Sequence, residues 1–212
     1  SSKYNQILSS LGIDKSKIEY SEHHESHAST AFFLDHSYNP DREKLIFTLD
    51  GSGDGLSATV SIGKDHRMER LAEIPTFDSL GMLYSRMTQF LGMKPLEHEY
   101  KLMGMAPYAK EKYFLDIEKK FFKLQDVKNI QFINKSKYKD LYFHVKKILN
   151  GKRFDSICGG LQSYSEKLIN KWVINILKKN NVQDICVSGG VALNVKNNLM
   201  LRNIKGIKNV FV

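Results

Sequence analysis

Three of the seven histidines fall within five residues, as His23, His24 and His27. On a helix, His23 and His27 are four apart and share one face. Two imidazole nitrogens placed that way can hold one metal ion. Glu25 lies off that face. A solvated, His-rich helix start would show the same spacing, so a third ligand has to decide. Asp50 is the candidate. It ends the apolar run Leu45-Ile46-Phe47-Thr48-Leu49, and open α/β sheets gather their ligands at the carboxyl ends of strands.

The run Asp50-Gly51-Ser52-Gly53-Asp54-Gly55 follows directly. Its glycines let the backbone approach a phosphate closely and aim several N–H groups at it. A plain hairpin turn has the same composition. The second glycine site, Ser188-Gly189-Gly190, lies between the apolar strand Ile185-Cys186-Val187 and a helix expected over 191–202. A helix N-terminus behind a Gly-Gly turn suits an anion, and close helix–strand packing needs small residues there too. There is no GxxxxGK[ST] phosphate loop and no GxGxxG fingerprint. No nucleophile triad is evident: Ser188 is not in a GxSxG elbow, and Cys186 sits inside a strand. Glu97 and Glu99, flanking His98, are acid/base candidates or simply part of a solvated loop. The catalytic residue is left unassigned.

The elements that must position these residues are legible in outline. Helices are expected over 3–11, from His23 to Phe33, over 79–91 and over 155–180. In the last of these, Ile157, Leu161, Tyr164, Leu168, Trp172 and Ile176 form one stripe. A short strand is expected over 17–22. A three-stranded meander is expected over 45–49, 56–62 and 67–74, with tight turns at 50–55 and 63–65. A final strand starts at Asn209. Residues 97–108 should mix helix and loop, and 110–153 should hold two or three short elements. The class is α/β. Two glycine turns on strands of a β-β-β-α-β-α order suggest a nucleotide held between them, as in actin-like and sugar-kinase folds.

Composition narrows the function. The chain has 212 residues, 42% of them hydrophobic, enough for a real core. No apolar run approaches the ~18 residues of a membrane span. The net charge of +9 first suggests nucleic acid. Residues 110–153, however, carry 13 Lys/Arg against 5 Asp/Glu, which leaves the rest of the chain nearly neutral. The charge therefore belongs to one segment and argues against a nucleic-acid partner. Its Lys and aromatic residues suit an anionic acceptor, or serve solubility. Cys158 and Cys186, each inside an apolar run, suit a reducing, cytoplasmic setting.

Six ordered motifs give the chain a recognisable face. They are His23-His24-x-x-His27-Ala28-x-x-Ala31-Phe32-Phe33, Leu49-Asp50-Gly51-x-Gly53-Asp54-Gly55, Ser79-Leu80-Gly81-x-Leu83-Tyr84, Glu97-x-Glu99-Tyr100-Lys101-x-Met103-Gly104-x-Ala106-Pro107-Tyr108, Gln162-x-x-x-Glu166 and Ser188-Gly189-Gly190-Val191-Ala192-Leu193-Asn194. Together they closely resemble the O-carbamoyltransferase family of nodulation and cephalosporin-modifying enzymes. His98 and Ala109 stand where that family usually has Gly.

The resemblance implies an actin/sugar-kinase-like (RNase H-like) lobe, a mixed sheet flanked by helices, present as a partial domain. Residues 1–40 would be the end of the first RNase H-like lobe, 41–109 and 154–212 the second, and 110–153 a basic insertion. A following YrdC-like domain is expected outside this chain, and a fragment of this kind would be inactive alone. The activity implied is ATP-dependent: carbamoyl phosphate and ATP give carbamoyl adenylate, and the carbamoyl group passes to a hydroxyl of a sugar or natural product. His23, His27 and Asp50 map onto the family's site for one divalent metal, with iron, zinc and magnesium not distinguished. Gly51, Ser52, Gly53, Asp54, Ser188, Gly189 and Gly190 map onto the adenylate. Lys101 is a candidate phosphate partner, and Asn194 a candidate hydrogen-bonding group near the nucleotide. Two other readings stay open: threonylcarbamoyl transfer to tRNA by the sister class, which the basic segment favours a little, and a non-catalytic binding module.

Overall fold

The computed structural model describes residues 2–136 and 141–212. From the N-terminus, α1 (Ser2–Ser10) and α2 (His23–Phe33) precede three strands, β1 (Lys44–Gly53), β2 (Leu56–Lys64) and β3 (Arg67–Pro75). Next come α3 (Leu80–Phe90), α4 (Glu99–Met105), α5 (Glu111–Leu124), a small hairpin of β4 (Gln125–Lys128) and β5 (Gln131–Asn134), and α6 (Leu141–Leu149). The long α7 (Phe154–Leu177), β6 (Asp184–Ser188), α8 (Val195–Arg202) and β7 (Asn209–Phe211) close the order. The main sheet runs β3-β2-β1-β6-β7. β2 is antiparallel to β1 and to β3, whereas β6 is parallel to β1 and to β7. It is thus an α/β fold built on a mixed five-stranded sheet flanked by helices.

β1 is central because both its faces can be covered. Leu45, Phe47 and Leu49 join the larger core, with α3 and α7, and Ile46 joins a smaller one with Ala28, Ala31 and Phe32 of α2. The expected α7 stripe is wholly buried from Ile157 to Ile176. Glycines let α7 approach its neighbours: a Cβ on Gly160 would lie 2.7 Å from Ile117 of α5, and one on Gly159 would lie 2.4 Å from the methyl of Ala109. The basic segment 110–153 contributes Ile117, Phe121, Phe132 and Val145 to the larger core. Its lysines ride on elements whose apolar sides are packed away.

Three expectations change. No strand forms over 17–22. A 3₁₀ turn at Lys15–Lys17 and irregular chain lead instead to Glu22, which caps α2, and the segment pairs with no described strand. The turn at 50–55 is shorter than expected, because β1 continues through an irregularity to Gly53 and only Asp54-Gly55 turn. Both turn residues have positive φ, 49° and 85°, as a two-residue hairpin loop requires. Similarly, β2 extends through Lys64, and Asp65-His66 make the next turn. No helix of the described residues is long and apolar enough to cross a membrane. Cys158 and Cys186 are buried free thiols, each pushed up to about 12 chiefly by burial.

Candidate metal and nucleotide site

α2 begins where it does because its first turn is held from three sides. The Glu22 carboxylate accepts the N–H groups of His24 and Glu25 at 2.9 and 2.8 Å. Asp54, in the β1–β2 turn, accepts the His23 N–H at 2.8 Å. Arg70 of β3 donates to Glu22 at 2.6 Å, tying the cap to the sheet. His24 points inward, fully buried, with its Nδ1 2.7 Å from Thr48 Oγ1. Thr48 in turn meets the Thr59 hydroxyl at 2.7 Å. Desolvation by burial pulls the His24 imidazole below its ordinary value. With His24 turned into the sheet, His23 and His27 face Asp50.

One oxygen serves both rings. Asp50 Oδ2 accepts from His23 Nε2 at 2.9 Å and from His27 Nε2 at 3.0 Å. The ligand atoms of the three residues all lie within 4.8 Å of one another, with each residue half-buried. Burial works against the Asp50 charge. The hydrogen bonds from His23, the Gly51 N–H and His27 outweigh it and hold the carboxyl below its ordinary value. Two imidazoles and a carboxylate, close-set and partly shielded, suit a divalent cation of the iron or zinc kind. Gly53 makes room for this arrangement, since a Cβ there would stand 2.1 Å from the His23 ring.

The other face of Asp50 belongs to the second glycine turn. The parallel ladder between β1 and β6 ends at Thr48 opposite Ser188, and the two chains then separate. Gly189 takes φ 102°, and a Cβ there would lie 2.3 Å from the Leu49 carbonyl. A Cβ on Gly190 would lie 3.1 Å from Asp50 Oδ1. Ser188 Oγ is 3.4 Å from His27 Nδ1, so this turn also touches the histidine pair.

A cleft of about 330 Å³ opens beside these groups. Asp50 and Gly190 line it, as do Glu97, Glu99, Tyr84 and Asn194. Beneath it lies a buried polar network. Asn194 Nδ2 donates to Gln162 Oε1 at 2.9 Å, Tyr84 Oη donates to the same oxygen at 3.1 Å, and Gln162 Nε2 donates to Glu166 at 2.9 Å.

The sequence-derived residues fall into three groups. His23, His27, Asp50, Gly51, Gly53, Gly189 and Gly190 surround one corner, with Asp54 and Ser188 bonded to its histidines. Asn194 lies in the adjoining cleft, but its own Oδ1 caps α8 through the Lys196 and Asn197 N–H groups. The helix expected from Val191 therefore starts at Val195, and a 3₁₀ turn over Gly190–Leu193 takes its place behind the glycines. The helical turn that follows the glycines is this 3₁₀ turn, with Gly189 as its cap residue. Ser52 and Lys101 stand apart. Ser52 is exposed and bonds Thr76 Oγ1 at 2.9 Å, and the Lys101 ammonium is 5.8 Å from the Tyr100 ring centre.

Sequence reasoning missed His24, Thr48, Glu22 and Arg70 as the framework of the site, along with the partnership of Tyr84 and Gln162. The two departures from the family's pattern are accommodated locally. His98 Nδ1 accepts the Lys94 N–H at 3.1 Å, and the Ala109 methyl sits over Gly159.

The family model described as Carbamoyltransferase N-terminus matches residues 4–212. An uncharacterised protein of Synechocystis is 31% identical over 231 residues, which cover 98% of this chain and 36% of that protein. The nodulation protein NolNO of Sinorhizobium fredii is 28% identical over 204 residues, or 94% of this chain and 29% of that protein. The nodulation protein NolO of Bradyrhizobium diazoefficiens is 27% identical over 176 residues, or 81% and 31%. The chain thus spans about a third of the length of these curated relatives.

Proposed function

Because the chain belongs to the carbamoyltransferase family, as its N-terminal part, we propose that it forms part of an ATP-dependent O-carbamoyltransferase. Carbamoyl phosphate would first lose its phosphate to water, and the resulting carbamate would attack the α-phosphate of ATP to give carbamoyl adenylate and pyrophosphate. A hydroxyl of a sugar or other small molecule would then take the carbamoyl group and release AMP. The strand order β3-β2-β1-β6-β7 supports the reading of an RNase H-like lobe. The observation that carries the proposal is Asp50: one oxygen faces two histidines, and the other faces the glycine turn at Gly190.

In this reading His23, His27 and Asp50 hold a divalent cation, which when bound supplies positive charge against the adenylate phosphate and the carbamoyl oxygen. The chain's own groups do the rest. The end of β1 from Gly51 to Gly53, the Asp54 that follows it and the Ser188–Gly190 turn bring backbone close to the adenylate, with glycines keeping the approach open. Glu22, Asp54 and Thr48 fix the histidines before substrate arrives, so little reorganisation remains for the reaction. Asn194 lines the cleft on the nucleotide's side, and its bonds to Gln162, Tyr84 and the start of α8 hold that wall in place. Lys101 is the phosphate partner of this scheme only if the adenylate extends beyond Tyr100.

The test uses the full-length protein. Carbamoyl phosphate should be required for ATP to yield AMP and pyrophosphate, and a hydroxylated acceptor should gain the mass of one carbamoyl group. Release of AMP with threonine and bicarbonate in place of carbamoyl phosphate, with tRNA as acceptor, would overturn the proposal in favour of threonylcarbamoyl transfer.

A further inference from the structure

A second groove, of about 300 Å³, lies between α3, the β4–β5 hairpin and the start of α6. Its lining includes Arg86, Gln125 and Asn134, over an apolar bed of Met82, Leu83 and Leu124. None of these residues holds the histidine–carboxylate corner.

The hydrogen-bond inventory of the groove is lopsided. Arg86 is half-buried, and its one side-chain partner is Gln89 Oε1, at 3.2 Å from Nη1. No carboxylate pairs with it among the described residues, although a guanidinium has five N–H donors. Gln125 is buried. Its Oε1 accepts the Tyr164 hydroxyl, and its Nε2 donates to the Asp78 carbonyl, leaving one N–H over. Asn134 repeats the pattern: Oδ1 accepts the Ser136 N–H, and Nδ2 donates to the Phe77 carbonyl. Each amide keeps an N–H to spare, and Arg86 adds donors with no acceptor of its own. The Asp78 carboxylate is turned to the hairpin, where Oδ1 accepts the Asn134 N–H at 2.6 Å.

A half-buried guanidinium with spare amide N–H groups recognises an anion, and its planar fork matches a phosphate or carboxylate. The apolar bed has room for one ring or short chain behind that head group. We infer that this groove is a binding site for a small organic anion, a phosphate or carboxylate on an apolar body. It also reaches the glycine loop: Ser79 Oγ donates to the Gly51 carbonyl at 2.7 Å, and Thr76 Oγ1 lies 2.9 Å from Ser52 Oγ, both residues lining the groove. An occupant would touch the residues that brace the loop after Asp50.

The site does not depend on carbamoyl transfer, and its test needs no turnover. Isotope-labelled protein is titrated with phenyl phosphate, benzoate and phenol while the Arg86 Nε–H and the Gln125 and Asn134 side-chain amides are followed by NMR. Phenyl phosphate or benzoate should move these three signals together, and whichever binds more tightly identifies the head group. Phenol should leave them in place. Arg86→Gln should weaken the anion by about tenfold or more, the loss expected for a charged hydrogen-bonding partner. Arg86→Lys keeps the charge without the fork and should fall between the two, which covers the case that the first variant folds poorly. The inference is wrong if phenol binds as well as the anions, if the shifts arise elsewhere, or if neither variant weakens binding.

Discussion

On the face covered by α3 and α7, the sheet meets Trp172, Tyr164 and Leu168, all fully buried, within one continuous apolar core. On the α2 face the apolar cluster shrinks to Ala28, Ala31, Phe32, Ile46 and Cys186. The rest of that interface is polar: His24 on Thr48, Thr48 on Thr59, and Lys44 in a buried ion pair with Asp35. Arg70, beside it, holds Glu22. The thick face makes the fold stable through area removed from water. The thin face fixes a register through directional bonds, and it is the thin face that carries His23 and His27. A site that needs atoms in set places is better served by hydrogen bonds than by oil, and the two tasks are divided accordingly.

The sharpest way to break this comparison is to remove the proposed ligands themselves. His23→Ala with His27→Ala should abolish metal uptake, measured by elemental analysis, while the circular dichroism melt barely shifts. Retention of the metal would sink the ligand assignment. On the thick face, Trp172→Ala should cost about 3–5 kcal/mol in denaturant unfolding, since the indole packs on Phe47 and Phe132 and donates to the Ile130 carbonyl at 2.8 Å.

The ties of the thin face come next. Thr48→Val keeps shape and loses the hydroxyl under His24. It should weaken metal binding by less than ~10-fold, because His24 braces the ligands without being one, at a stability cost of about 1–3 kcal/mol, since the buried His24 Nδ1 and Thr59 N–H lose their partner. An unfolding loss as large as that of Trp172→Ala would erase the distinction between the faces.

The smallest effect concerns pH. Asp126 is partly buried, which opposes its charge, yet Lys171 and Lys135 at 2.8 and 2.9 Å hold its carboxyl down to about 2. Its folded value lies below the unfolded one, so its contribution is present above pH ~4 and lost as the pH falls through ~2. Asp126→Asn should cost roughly 1 kcal/mol at neutral pH after screening, and the gap to the parent should close in acid titration.

Most of the elements were legible because their signals are local. The α7 stripe repeats every three or four residues, and the meander announces itself by Asp-Gly turns. The misreadings occur where a single side chain overrides the pattern. Glu22 turns an extended-looking segment into a helix cap, and Asn194 starts α8 four residues late. The histidines, Asp50 and the glycines could be found from spacing and type. What supports them could not, because Thr48, Arg70 and Gln162 become partners of His24, Glu22 and Asn194 only in the folded molecule. Nothing in the neighbourhood of Gln162 announces Tyr84, 78 positions away.

The last rung of the parallel ladder, Thr48 opposite Ser188, joins residues about 140 positions apart. Closing a loop of that length costs on the order of 4 kcal/mol of chain entropy, and such distant pairings slow the search for the native state. The corner at Asp50 therefore has a history as well as a geometry. The histidine side, drawn from residues 22–59, can assemble early from chain that is near in sequence. The Gly189–Gly190 side arrives only when β6 docks. A nascent or partly unfolded chain would hold half a site, and metal captured at that stage would meet no second glycine turn.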